Sequence, residues 1–158
     1  PYEGRIAPDA VRRVVLDLLE LGCDEISIGD TIGAARPPDI ARLLDVVLPV
    51  LALEKTILHL HDTRGTAVAN LVEGLRHGVA RFDTSSGGVG GCPFAPGAAG
   101  NLASEDAIYL LDGVDVGHGI DVDAQREASL VIAPYLGHAL RGRVSQAPPF
   151  DPERGERS

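Results

Sequence analysis

Apolar residues recur at helical spacing in several stretches of this chain, and between them lie short runs rich in β-branched residues. Val11, Val14, Val15, Leu18 and Leu19 share one face of a helix that Pro8-Asp9 opens and Gly22 ends. Glu25-Ile26-Ser27-Ile28 reads as a short strand closing at Gly29-Asp30-Thr31. Gly33 to Pro38 is a loop whose paired prolines prepare a helix from Asp39, with Ile40, Leu43, Leu44 and Val47 on its apolar face. A second strand is predicted over Thr56–His61, then a helix from Thr66 to His77 with Val68, Leu71 and Leu75 inward and Gly78 as its stop. Val79 to Asp83 is the third strand. After a glycine-rich loop, Ser104-Glu105-Asp106 starts a helix running through Ala107–Leu111, and a last helix is predicted over Asp123–Leu140. Val114–Val116 reads as a strand or, between Gly113, Gly117 and Gly119, as a loop.

Helices alternating with strands, each helix carrying one apolar face, form the pattern of a parallel α/β sheet. Each strand ends in polar residues: Gly29-Asp30-Thr31, His61-Asp62-Thr63 and Asp83-Thr84-Ser85. In α/β barrels the chemistry gathers at the carboxyl ends of the strands. Three parallel strands cannot close a barrel, and the chain opens at Pro1 without an initiator Met. The expectation is therefore the rear part of a longer protein, with a core over residues 1–147 and a flexible polar tail over 148–158.

Composition narrows the function. With 14 Lys and Arg against 23 Asp and Glu, the net charge is −9, which argues against nucleic acid or an anionic membrane as partner. The apolar run Val46–Leu53 is too short to cross a bilayer, and Pro49 breaks it. Two cysteines, Cys23 and Cys92, suit a reducing compartment, and the sequence reads as that of a bacterial cytoplasmic protein. Cys23, at a helix end before a strand, is expected to be a buried structural thiol.

His59 and His61 stand two apart on a strand, so both imidazoles project from one face. They can share a divalent cation or stand as a solvated pair beside a turn; Asp30 and Asp62, at neighbouring strand ends, favour the cation. An all-histidine site suits zinc, whereas mixed nitrogen and oxygen ligands admit magnesium or manganese. Ser85–Asn101 lacks both the dinucleotide glycine spacing and the Lys-Ser/Thr of a phosphate loop. It reads either as a plain connection or as a movable loop presenting the thiol of Cys92. Asn101, just before a helix, is a candidate N-cap or oxygen ligand.

Three segments resemble the 3-hydroxy-3-methylglutaryl-CoA lyases: Gly29-Asp30-Thr31-Ile32-Gly33, HLHDTRGTAVAN at 59–70, and FDTSSGGVGGCPFAPGAAGNLASED at 82–106. The similarity continues to about Ala147. The related isopropylmalate and homocitrate synthases carry a Gly-Glu-Arg loop where this chain has Gly91-Cys92-Pro93. The resemblance implies an α/β fold that is the C-terminal part of a (β/α)8 TIM barrel, its last three βα units plus closing helices. It implies His59, His61 and Asn101 as ligands of Mg2+ or Mn2+, Cys92 as the thiol of proton transfer, and Asp30 as a catalytic aspartate. It further implies an acyl-CoA substrate, cleavage to acetyl-CoA and acetoacetate, and a homo-oligomer, a dimer, in the full-length form. A first-strand aspartate that completes the metal site, and a neighbouring arginine, have no counterpart in this chain. Two other readings stand beside it: a lyase for a related 3-hydroxy-3-alkylglutaryl-CoA, and a non-catalytic half-barrel that binds a partner through open sheet edges.

Overall fold

A computed structural model describes residues 3–91 and 100–148 of the chain. Six helices and three strands follow in the order α1 (Pro8–Glu20), β1 (Ile26–Gly29), α2 (Pro37–Val47), β2 (Thr56–His59), α3 (Ala67–Arg76), β3 (Phe82–Asp83), α4 (Ser104–Gly113), α5 (Val122–Ile132) and α6 (Arg143–Gln146). The strands form one parallel sheet in the order β1-β2-β3, with Gly29 opposite His59 and His59 opposite Asp83. Helices join each strand to the next, the connection that parallel pairing requires.

The period of two along each strand separates two environments. Ile26, Ile28, Leu58 and Leu60 are buried beneath the helices with Val15, Ile40, Leu44, Val47 and Leu71. Burying each of these side chains stabilises the fold by about 1.5–3 kcal/mol. Ser27, His59 and Asp83 alternate with them and remain half-buried or exposed. Gly74, inside α3, lets that helix press onto the sheet. A Cβ there would stand 2.8 Å from Leu58 Cδ1 and 3.0 Å from the Phe82 ring.

Several boundaries differ from the sequence reading. The last long helix stops at Ile132 rather than Leu140, because Pro134 lacks an N–H and clashes with the preceding turn. A 3-10 turn, Ala133–Tyr135, follows, and Gly137 turns the chain back with φ +66°. α6 then begins at Arg143. β2 ends at His59 rather than His61, which makes only an isolated antiparallel bridge to Asn101. β3 is confined to Phe82 and Asp83. Val114–Val116 forms no strand: Val114 closes α4 and Asp115 adopts a left-handed φ of 55°. Val14 is 55% exposed, and Cys23 is only partly buried against the core. The tail beyond residue 148 lies outside the described residues.

Candidate metal and active site

The carboxyl ends of the three strands bring Asp30, His59, His61 and Asp83 together, and the segment after the glycine loop adds Asn101. Asp30 follows β1 and holds its own loop. Its carboxylate accepts N–H bonds from Ala34 and Ala35, each at 3.0 Å, one on each oxygen. The side chain is thereby fixed, and each oxygen keeps a lone pair for a further donor.

His61 is buried, at 5% exposure, and its Nδ1 lies 2.8 Å from the backbone carbonyl of Asp30. A carbonyl oxygen only accepts, so Nδ1 is the donor, and in the neutral ring the lone pair is then on Nε2. This is the arrangement in which a ligating histidine is tied through its other ring nitrogen. The His59 ring stands 5.0 Å from it, centroid to centroid, at 74°. His59 Nδ1 faces Asp83 Oδ2 at 3.5 Å, and Ser27 Oγ donates to that same carboxylate oxygen at 2.7 Å. A carboxylate on Nδ1 again leaves Nε2 as the nitrogen able to meet a cation.

Asn101 stands opposite His61 because the backbone clasps on either side: Asp62 N–H donates to the Gly100 carbonyl (3.2 Å) and Leu102 N–H to the Leu60 carbonyl (2.9 Å). Gly100, with φ +65°, permits this close crossing, since a Cβ there would run into the Gly88 carbonyl oxygen. The Asn101 amide Nδ2 donates to the Val89 carbonyl at 3.0 Å, which leaves Oδ1 as the atom able to ligate a cation. Asn101 is not the cap of α4; Ala103 occupies that position. Two imidazole nitrogens and one amide oxygen form a mixed donor set that suits magnesium or manganese as well as zinc. Among the described residues no group of three His, Cys, Asp or Glu side chains converges on one point. Cys92 lies outside the described residues.

A cleft of about 620 Å³ opens beside Asn101, lined also by Asp62, Asp106, Leu140, Arg141 and Arg143. Asp62 Oδ1 accepts the Ala67 N–H at the start of α3, and its other oxygen lies 3.6 Å from the Arg143 guanidinium. Asp106 accepts the N–H groups of Arg143 and Val144 at 2.9 and 2.8 Å. Burial pushes its carboxyl above the usual range; those two N–H bonds oppose the shift, and the Glu105 and Asp62 carboxylates add to it.

Sequence reasoning gave no role to Ser27, Asp83 or Glu105. Asp83 could have been found from strand register, because it occupies the end of β3 directly beside His59. Ser27 lies two residues before the end of β1, on the face of the strand that His59 shares on β2. Glu105 has no such signal; its burial arises from long-range packing.

The HMGL-like family profile matches residues 1–132. The chain belongs to the HMGL-like family. It is 47% identical over 150 residues to hydroxymethylglutaryl-CoA lyase of Pseudomonas mevalonii, covering 93% of this chain and 49% of that protein. Against the mitochondrial hydroxymethylglutaryl-CoA lyase of Homo sapiens the identity is 41% over 147 residues, covering 93% of this chain and 45% of the relative. An HMG-CoA lyase from Acinetobacter baumannii, solved with coenzyme A and 3-methylmalate, superposes with a TM-score of 0.88 at 37% identity, covering 93% of this chain and 48% of that one. The chain spans about half the length of the HMGL-like relatives it matches, and its three-stranded sheet is part of a TIM barrel. Among the described residues no helix is long and apolar enough to cross a membrane.

Proposed function

We propose that this chain supplies the carboxyl-terminal part of a divalent-metal-dependent carbon–carbon lyase that cleaves 3-hydroxy-3-methylglutaryl-CoA to acetyl-CoA and acetoacetate. The observation that carries the reading is the preparation of three donor atoms: Nδ1 of His61 and Nδ2 of Asn101 are committed to backbone carbonyls, and Nδ1 of His59 faces a carboxylate. His59, His61 and Asn101 would hold Mg2+ or Mn2+. When bound, such a cation draws electron density from substrate oxygens and offsets the charge that develops on them.

Asp30, fixed by two loop amides, would orient the tertiary hydroxyl and take its proton. The oxygen's freed electron pair becomes the ketone of acetoacetate as the bond from that carbon to the thioester-bearing methylene breaks. The electron pair of the broken bond passes to the acetyl-CoA enolate. Cys92 then returns a proton to the enolate carbon. The guanidinium groups of Arg141 and Arg143 on the cleft suit an anionic acyl-CoA. The setting is a bacterial cytoplasm and the intact enzyme a homodimer.

A relative from Pseudomonas aeruginosa, 42% identical over 147 residues, is a 3-hydroxy-3-isohexenylglutaryl-CoA/hydroxymethylglutaryl-CoA lyase. That supports, as second reading, a substrate with a longer branch. The test is to incubate the intact protein encoded by the reading frame that contains this sequence with each acyl-CoA, with and without magnesium. Magnesium-dependent acetoacetate from the methyl substrate establishes the first reading, and cleavage of the longer substrate alone establishes the second. No cleavage of either by a folded, metal-binding protein refutes both.

A further inference from the structure

Glu105 is a buried ionisable side chain for which the proposed chemistry has no use. It is 0% exposed, and a carboxylate so placed is destabilising unless its oxygens are hydrogen-bonded. Both oxygens accept the Gly87 N–H at 3.0 Å, and Ser145 Oγ donates to Oε1. Gly87 and its neighbour Gly88 both take left-handed conformations, with φ +65° and +66°, in the turn Ser86–Gly88. Two adjacent glycines have wide conformational freedom, so this turn needs an external anchor. Glu105 provides it.

The turn leads directly to the metal ligand. Val89 follows it, and the Val89 carbonyl accepts from Ser85 Oγ at 2.7 Å and from Asn101 Nδ2 at 3.0 Å. The two ends of a carboxamide have nearly the same shape but opposite chemistry: Oδ1 can ligate a cation and Nδ2 cannot. The Val89 carbonyl alone among these contacts distinguishes them. If it moves, the amide loses its reason to present oxygen, and a flipped Asn101 offers N–H groups to the site.

We propose that Glu105 is a positioning residue for the metal site: by anchoring Gly87 it fixes the Val89 carbonyl, which orients the Asn101 carboxamide with Oδ1 towards the cation. This rests on the ligand assignment above. It is tested by titrating the intact protein with Mn2+ alone and measuring free Mn2+ by electron paramagnetic resonance. Asn101→Ala should weaken Mn2+ binding at least tenfold, and Glu105→Leu about tenfold, as outer-shell partners of metal ligands do. Glu105→Gln, whose Oε1 still accepts from Gly87, should restore most of the affinity. In the Asn101→Ala background, Glu105→Leu should add less than a twofold loss, because its effect passes through the amide. Ser85→Ala, which removes the second hydrogen bond to the Val89 carbonyl and leaves the buried cluster intact, should weaken binding about threefold; it carries the test if Glu105→Leu does not fold. Wild-type affinity in folded Glu105→Leu or in Ser85→Ala, or an equal loss from Glu105→Leu with and without Asn101, overturns the relay. Wild-type affinity in Asn101→Ala instead overturns the ligand assignment beneath it.

Discussion

A histidine becomes a good metal ligand when something else decides which of its nitrogens carries the proton. His61 has that decision made by the Asp30 carbonyl, and because the acceptor is backbone, no side-chain substitution at residue 30 removes it. His59 relies on Asp83, which is itself held by Ser27. Asp83→Asn should therefore weaken metal binding by about tenfold, the lower end for an outer-shell partner, since both groups are substantially exposed. His61→Ala should weaken it further, and magnesium titration of acetoacetate formation reads both; unchanged activation by His61→Ala would remove it from the ligand set. Cys92 behaves differently. Cys92→Ala should lower turnover by roughly 10²–10⁴-fold, the usual contribution of one acid–base group, with Mn2+ affinity near wild type.

At the level of elements, α3 and α4 show how packing serves the site. Gly74→Ala inserts a methyl against Leu58, itself buried at 1% exposure, and the Phe82 ring. Overpacking of this kind costs about 1–3 kcal/mol, and alanine's better helix propensity returns up to about 1 kcal/mol. A net destabilisation on the order of 1 kcal/mol should appear as a lower urea midpoint. Asp106, in the first turn of α4, holds α6 through the N–H groups of Arg143 and Val144, with Glu105, Asp62 and Arg143 the charged groups around it. Its carboxyl is raised by burial from the ordinary value of 3.8, so the folded chain binds this proton more tightly than the unfolded one. The resulting contribution favours the fold at low pH and is lost as pH rises from about 3.8 through the raised value. Asp106→Asn should flatten that part of the stability–pH profile. These elements also mark what was legible. Pattern and helix-start signals located all three strands and the five helices α1–α5, and the polar strand ends singled out Asp30 and the histidine pair. The break at Pro134 was missed because apolar residues recur on both sides of it, and α6 because four residues with Val144 as the one apolar position carry no period. Glu105 was missed because an acidic residue in the first turn of a helix is ordinarily a solvated one, and only the fold of residues far away in sequence covers it.

At the scale of the whole molecule, the sheet sets the limit on what this chain does by itself. β1 and β3 each pair on one side only among the described residues, and a groove of about 430 Å³ beside β1 is lined by Ile6, Val11, Ile28, Ile32, Leu58 and Leu60. An open parallel edge favours association, since its unpaired N–H and C=O groups are a template for another strand and parallel strands are ordinarily covered on both faces. The HMGL-like relatives have a further half of comparable length, and its strands are the natural cover for that edge. The chain expressed alone should bind Mn2+ weakly, form no acetoacetate and self-associate. Co-expression with a polypeptide matching the amino-terminal half of the Pseudomonas mevalonii relative should give a soluble one-to-one complex with magnesium-dependent cleavage. Size-exclusion chromatography and the acetoacetate assay check the two parts separately. A stable complex without turnover would favour the half-barrel as a binding partner rather than a catalytic part, whereas turnover by the isolated chain would show that three strands suffice to hold the cation and the substrate.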